Sequence, residues 1–370
     1  MRILYGLCGE GSGHATRSAV VIRHLHALGH DVLVVVPKQV AHILKRTGAA
    51  TTEIVGLRMH CADGAMDLLG TLERNARQIP EMMSRNASAW ADAEAFDPDA
   101  CVTDYDAFPW LFADAHGGLP VVSIDNAQVL TRCEIAPELA RGIEGGLAAL
   151  ETFSRAMAPA CKHYVVTSFF YPPVRAELRE RTTLVPPVLR DEVLEALREP
   201  PPAADHVLVY KTASLDDAGV LAEIAQVDAR FLLYGFASEG ETPANCERRP
   251  FSEAGFVKDL ASSRAVVCNA GMSLAGEALA FGKPVFAVPV RGQYEQVLNA
   301  RYIAHSGFGA MAERLTATAL RAFLKRLDEY AARVGKEPRH DANARLRATV
   351  ESLFGKSPVP GPRSPVLDKI

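Results

Sequence analysis

Short, wholly apolar runs alternate along this chain with longer stretches in which apolar residues recur every three or four positions. Residues 3–8 form the first run and read as a strand buried on both faces. A helix is predicted over 15–28, closed by Gly29, and a second strand over 32–36 is stopped by Pro37. Together they make a βαβ unit whose first turn carries Gly9, Gly11 and Gly13, followed by His14. Further strands are predicted at 52–55, 100–103, 120–124 and 164–167, with helices at 109–116 and 137–158. The interval 58–77 carries no assignable pattern.

The composition changes at 186–205, where Pro186 and Pro187 precede a brief helix and Pro200, Pro201 and Pro202 follow it. Consecutive prolines favour an extended, semi-rigid connection, so an interdomain linker is placed here. A second series follows, with strands at 207–210, 231–234, 264–268 and 285–288 and a helix at 217–225. The helical pattern resumes from 315 to 354, and the Pro-rich end, 357–370, is expected to be poorly ordered. The reading is an α/β chain with two Rossmann-like, doubly wound domains facing a cleft. The first domain covers 1–185, the linker 186–205, the second domain 206–330 and a helical tail 331–370.

Composition narrows the function classes. The 370 residues are 48% hydrophobic and 23% charged, as in ordinary globular proteins. A net charge of −4 argues against a nucleic-acid binder. The seven cysteines are scattered, several inside strand patterns and without a CxxC pair, which fits free thiols in a reducing cytoplasm. Met1 and Arg2 lead directly into a strand, so no signal peptide is expected. No apolar run approaches the ~18–20 residues of a membrane span. Peripheral association with a membrane surface is left open.

The densest candidate chemistry lies between Cys268 and Asn299. Asn269, Gly271, Met272 and Ser273 lead from a strand into a helix that ends at Gly282. Free N–H groups and about half a positive charge at a helix start suit a diphosphate. Asn269 and Ser273 are placed to contact phosphate or to cap the helix. Glu277, about one turn inside, is placed to accept both hydroxyls of a ribose. Glu295 and Gln296 are expected in a loop, either gripping sugar hydroxyls or simply solvated. Phe256, within 251–257, would offer an apolar face to a base.

In the first half the glycine spacing is GxGxGH, not GxGxxG, and Pro37 and Lys38 stand where a dinucleotide fold ends its second strand in an acidic residue. A loop that brings backbone close to a substrate fits better. A neutral imidazole at His14 can take a proton from a hydroxyl, with a carboxylate on its other nitrogen to fix the tautomer. Asp104, ending a neighbouring strand, is the first candidate partner, ahead of Asp106 and Asp125. The alternative is a helix-start histidine that only bonds the loop. Asp104 and Asp106 also form a DxD, a pattern that can hold a divalent cation. Because the helix start already supplies a diphosphate site, no metal is expected.

At these residues the chain resembles the GT-B glycosyltransferases. The glycine loop with His14, the turn from Asn269 to Ser273, Glu277, Gly282 with Pro284, and Glu295 with Gln296 carry the resemblance. It covers roughly residues 1–330, and the run 234–302 is most similar to a group of predicted transferases related to the peptidoglycan N-acetylglucosaminyltransferase. The resemblance implies that Glu277 binds ribose, that Gly271, Met272 and Ser273 bind the diphosphate, and that Glu295 and Gln296 hold the donor sugar. It implies His14 as catalytic base with Asp104 as its partner. Asn269 departs from the pattern, since those enzymes often carry histidine there. The implied reaction is inverting, metal-independent transfer from a nucleotide diphosphate sugar, UDP-linked, to an acceptor hydroxyl, without a further cofactor. The acceptor is a lipid-linked glycan, a polysaccharide or a small metabolite. A UDP-sugar 2-epimerase of the same fold and a non-catalytic nucleotide-sugar binder are the alternatives.

Overall fold

In the computed structural model, which describes residues 1–56, 60–62, 65, 66, 68–211, 217–237, 240–250, 252–336 and 343–355, the apolar runs assemble into two parallel sheets. The first contains β1 (Arg2–Leu7), β2 (Asp31–Pro37), β3 (Ala50–Ile54), β4 (Ala100–Asp104), β5 (Val121–Asp125), β6 (His163–Thr167) and β7 (Thr182–Val185). Their order is β3-β2-β1-β4-β5-β6-β7. The second contains β8 (Val207–Tyr210), β9 (Phe231–Tyr234), β10 (Cys246–Arg248), β11 (Ala265–Cys268), β12 (Val285–Ala287) and β13 (Gly309–Met311), in the order β10-β9-β8-β11-β12-β13. Helices on both faces bury such strands from two sides, which is why β4 and β5 are buried at every position.

Each sheet reverses its winding at its first strand. β1 lies between β2 and β4, and β8 between β9 and β11. Connections leave such a point toward opposite faces, opening a crevice at the carboxyl ends where α/β sheets bind ligands. In the first sheet that crevice lies at Leu7 and Asp104, which are register partners.

The helices that bear on the cleft are α1 (Ser12–Ala27), α2 (Phe108–Ala115), α3 (Glu144–Met157), α4 (Asp191–Arg198), α5 (Glu253–Ser262), α6 (Met272–Ala280) and α7 (Tyr294–His305). The last described helix, α8 (Ala344–Phe354), returns to the first sheet, where Leu346 and Val350 join the core that holds Val21, Ile22 and Leu25 of α1. Burying each such side chain contributes about 1.5–3 kcal/mol. His24 and His30, to which the sequence assigned no role, meet the carbonyls of Arg347 and Gly355 at 3.2 and 2.9 Å.

The connection at 186–205 is packed: Leu189 is bonded at both N–H and C=O by the Asn343 amide, and Val193 is buried against Val257. Several expectations need correcting. The helix expected over 137–158 is two, Pro137–Ala140 and Glu144–Met157, separated by Gly142 at φ 78°. β7 and β13 were not anticipated. Both are short edge strands, with too few residues to make a pattern. Glu295 and Gln296, expected in a loop, lie in the first turn of α7. The helical stretch from 315 is broken into Ala317–Leu324, Leu327–Val334 and α8. Residues 357–370, Phe251 and parts of 58–77 lie outside the described residues. Among the described residues, no helix is long and apolar enough to cross a membrane.

Candidate active site

The chain leaves β1 through the glycine loop, and Gly11, at φ 74°, takes the left-handed turn that starts α1. Gly13 faces the other half of the molecule, where a Cβ would stand 2.9 Å from Ser273 Oγ. His14 follows in the first turn of α1. Its Nδ1 lies 2.7 Å from Oδ1 of Asp104, at the end of β4.

Asp104 is wholly buried and has both oxygens engaged. Arg17 donates to it from Nε at 3.0 Å and from Nη2 at 2.5 Å, and the Ser18 hydroxyl donates at 3.0 Å. Burial alone would raise its pKa, but the charge of Arg17 and then the interaction with His14 outweigh that and hold it below the ordinary carboxylate range. An ionised carboxylate can only accept, so the shared proton sits on His14 Nδ1 and the lone pair on Nε2. Arg17 Nη2, 3.0 Å from the same Nδ1, is then a second donor directed at Asp104. The imidazole also stacks on Tyr105, with ring centroids 6.0 Å apart and planes at 13°. Tyr105 holds a left-handed backbone, φ 60°, and its hydroxyl bonds Ser154 at 3.1 Å. A non-glycine residue in that region costs about 1–3 kcal/mol, and such strain gathers at functional sites.

Across the cleft, Ala270 at φ 59° makes the corresponding strained turn into α6. Neither α6 nor α1 has a side-chain cap or an acidic residue in its first turn. Both starts line one cavity of about 260 Å³, with Gly13, His14, Gly271, Ser273, Glu277 and Glu295 among its walls. Two uncapped helix starts present free N–H groups and partial positive charge to the same space, a setting for a diphosphate.

Glu277 lies in this wall and accepts from Arg190 Nη2 at 2.8 Å. Burial raises its pKa, and Arg190 works against that. Phe256, also in the wall, is buried edge-to-face against Tyr210 and Tyr234 and carries the Arg190 guanidinium 5.7 Å above its ring. Gln296 accepts the Val290 N–H through Oε1 at 2.9 Å, which braces the loop before α7 and leaves its NH₂ for a ligand. Glu295 is half-buried beside it, its pKa raised by burial, with His14 and Arg17 opposing. The start of α7 rests on the first half: a Cβ on Gly146 of α3 would fall 2.2 Å from the Tyr294 ring.

Some expected members are placed elsewhere. Asn269 does not line the cavity; its amide donates to the Val288 carbonyl at 2.9 Å and ties the ends of β11 and β12 together. Ser273 lines the cavity without capping α6. Asp125 is committed to the Ser123 hydroxyl and the Gln128 N–H, and Asp106 accepts the Phe108 N–H. Asp104 and Asp106 thus have different partners, His14, Arg17 and Ser18 for the first and the Phe108 N–H for the second, and no group of three or more His, Cys, Asp or Glu among the described residues is arranged for a metal ion. Arg17 and Arg190 were missed. Arg17 was readable, because residues three apart share a helix face and His14 precedes it by three. For Arg190 the signal was weaker, a lone cation after the apolar pair Val188 and Leu189 in a proline-rich segment.

Known proteins resemble this arrangement over nearly the whole chain. The family model described as glycosyl transferase family 1 matches residues 1–328. An uncharacterized glycosyltransferase of Methanosarcina acetivorans is 24% identical over 342 residues, 84% of this chain and 85% of that protein. Among solved structures, the glycotransferase of kitacinnamycin superposes with a TM-score of 0.67 at 19% identity, covering 96% of this chain and 99% of that one. CalG4, the calicheamicin glycosyltransferase, gives 0.66 at 19% identity, covering 96% and 98%. The chain belongs to glycosyl transferase family 1 and is a glycosyltransferase of the GT-B fold.

Proposed function

We propose that the enzyme transfers a sugar from a UDP-linked donor to an acceptor hydroxyl, with inversion at the anomeric carbon and without a metal ion. The observation that carries this reading is the 2.7 Å contact between His14 Nδ1 and Asp104, which leaves Nε2 as a proton acceptor at the donor cavity. In the step, His14 Nε2 takes the acceptor proton as the acceptor oxygen forms its bond to the anomeric carbon. The bond from that carbon to the diphosphate oxygen breaks, and its electron pair leaves with UDP. The starts of α1 and α6 stabilise the charge that develops there. Asp104 holds the tautomer and stabilises the imidazolium. Glu277 receives the ribose, Tyr210 and Phe256 flank the base, and Glu295 with the Gln296 amide holds the sugar. Nothing changes oxidation state, so no cofactor beyond the donor is required. Both oxygens of Asp104 are bonded by protein donors, which supports a site that works without a cation. The free thiols suit a reducing compartment such as the cytoplasm.

A thermal-shift panel of UDP, dTDP, GDP, ADP and their glucose and N-acetylglucosamine esters tests the donor, since a ligand that binds only the folded state raises Tm. UDP compounds should give the largest shifts. The anomeric configuration of the product, read by NMR, tests inversion. Loss of turnover in EDTA, restored by a divalent cation, would overturn the metal-independent step.

A further inference from the structure

Asp106 is buried next to the catalytic pair but takes no part in the donor cavity. It is 6% exposed, and its position is fixed by Thr103, whose hydroxyl donates to the Asp106 carbonyl at 2.6 Å and accepts its N–H at 3.0 Å. Oδ1 accepts the Phe108 N–H at the start of α2, at 2.9 Å. Oδ2 has no hydrogen bond among the described residues. It faces a glycine: a Cβ on Gly56 would stand 3.8 Å from Oδ2 and 3.0 Å from Pro37 Cγ. Gly9 closes the same corner, since a Cβ there would lie 2.5 Å from Gln39 Nε2 and 2.7 Å from Pro37 Cβ. The carboxyl ends of β1, β2, β3 and β4 thus meet at a corner walled by glycine backbone and Pro37, with a carboxylate oxygen directed into it. This corner adjoins the imidazole: Asp106 follows by two residues Asp104, which bonds His14 Nδ1, and Tyr105 between them stacks on the ring. It is separate from the donor site, whose lining includes neither Asp106 nor Gly56.

Oδ2 is not among the fully buried side-chain atoms, so a donor arriving from outside can reach it. In a residue this enclosed an ionised oxygen is stabilised by such a donor. Arg17, the nearby cation, has Nε and Nη2 on Asp104. We propose that Asp106 is the residue that positions the acceptor: while one acceptor hydroxyl faces His14 Nε2, a neighbouring hydroxyl or ammonium group donates to Asp106 Oδ2. The acceptor class is therefore a vicinal diol or amino alcohol, as on a saccharide, rather than a lone alcohol. Asp106 forms and breaks no covalent bond. This assignment rests on the transfer reaction proposed above.

The test uses UDP-glucose and UDP-N-acetylglucosamine as donors and follows UDP release and product mass. The acceptor probes are methyl β-D-glucopyranoside, its 2-amino-2-deoxy analogue and 1-propanol. The saccharides should raise UDP release above that into water, and propanol should not. Asp106→Asn keeps the shape and, with its amide oxygen on the Phe108 N–H, places an NH₂ donor where Oδ2 accepted. It should raise the saccharide KM at least about tenfold, with UDP affinity and release into water within about twofold of wild type. A lower KM for the amino sugar in the wild type, reduced to parity in the variant, assigns the ammonium as donor; equal values assign the hydroxyl. Gly56→Ala narrows the corner without touching the carboxylate and should raise the same KM, which keeps the proposal testable should Asp106→Asn fold poorly. An unchanged saccharide KM in both variants, propanol used as well as the glucoside, or no stimulation by any probe overturns the assignment. Failure of the underlying transfer reading shows differently, as a wild type that neither binds UDP nor releases it from either donor.

Discussion

Arg190, on the connection between the two sheets, donates to Glu277 of α6 at 2.8 Å, so the carboxylate expected to meet a ribose is already in a buried ion pair. An arriving ribose must share Glu277 with the guanidinium. We predict that Glu277→Ala weakens UDP binding by at least about tenfold in calorimetry, the scale of a hydrogen bond to a charged group. Equal affinities would mean that the donor site is misplaced. Arg190→Ala strands a buried carboxylate and should cost about 3–5 kcal/mol in urea unfolding, whereas the apolar double replacement Arg190→Met with Glu277→Leu should cost less.

His14→Ala should lower kcat by about 10²–10⁴-fold, the usual contribution of a positioned general base, while UDP affinity stays within about twofold. The discriminating measurement is kcat at saturating donor beside a calorimetric Kd for UDP. Near-normal turnover removes His14 as the base.

Arg17 is the charge that most strongly opposes the effect of burial on Asp104. Because the folded pKa of Asp104 lies below its unfolded value, its contribution to stability is present above the ordinary carboxylate range and is lost as pH falls through the folded pKa. Arg17→Met removes the principal cation, so the stability difference from wild type should be about 3–5 kcal/mol at pH 7. It should shrink in strongly acidic buffer, where Asp104 is protonated in both proteins. Urea midpoints at a series of pH values measure this, and a pH-independent difference would show that Arg17 acts through packing alone.

The parts of the site that were legible in the sequence are those set by local rules. A β-branched apolar run such as Val32 to Val36, stopped by Pro37, reads as a strand buried on both faces, and three alternating glycines before His14 mark a close backbone turn at its neighbour's end. Counting from Gly271 places Glu277 inside the helix start, but nothing local reveals Arg190, 87 residues away, because that contact depends on the path of the connection. Gln296 was misplaced for a different reason. Gly292 and Gln293 read as loop, and α7 begins at Tyr294 without a side-chain cap to announce it. Asn269 sat beside a phosphate-binding turn in sequence, yet its amide is consumed by the Val288 carbonyl of the adjacent strand connection. Long-range pairing decided the cases of Arg190 and Asn269.

The two halves meet where Tyr294 covers Gly146, and this contact sets the position of Glu295 and Gln296 relative to the first half. Gly146→Ala inserts a methyl group 2.2 Å from ring carbons and must push the start of α7 away. We expect a loss of about 1–3 kcal/mol in stability, as for other overpacked positions, and a fall in transfer rate larger than the fall in UDP affinity. Restoring the rate with Tyr294→Ala in the same chain would tie the defect to this contact.

Asp106 makes a stability prediction with the sign opposite to that of Asp104. Burial raises its pKa to about 6, against the bond from the Phe108 N–H. Its folded pKa is thus above the unfolded value near 3.8, so the folded protein holds the proton more tightly between those limits and loses stability as pH rises through them. The full penalty, about 3 kcal/mol for a shift of this size, applies above pH 6 and is absent below about pH 4. Asp106→Asn carries no charge to bury and keeps an oxygen for the Phe108 N–H. It should therefore melt above wild type at pH 7.5 and together with it at pH 4. A variant that is less stable at pH 7.5 would mean that the carboxylate is satisfied in the free protein and is not waiting for an acceptor.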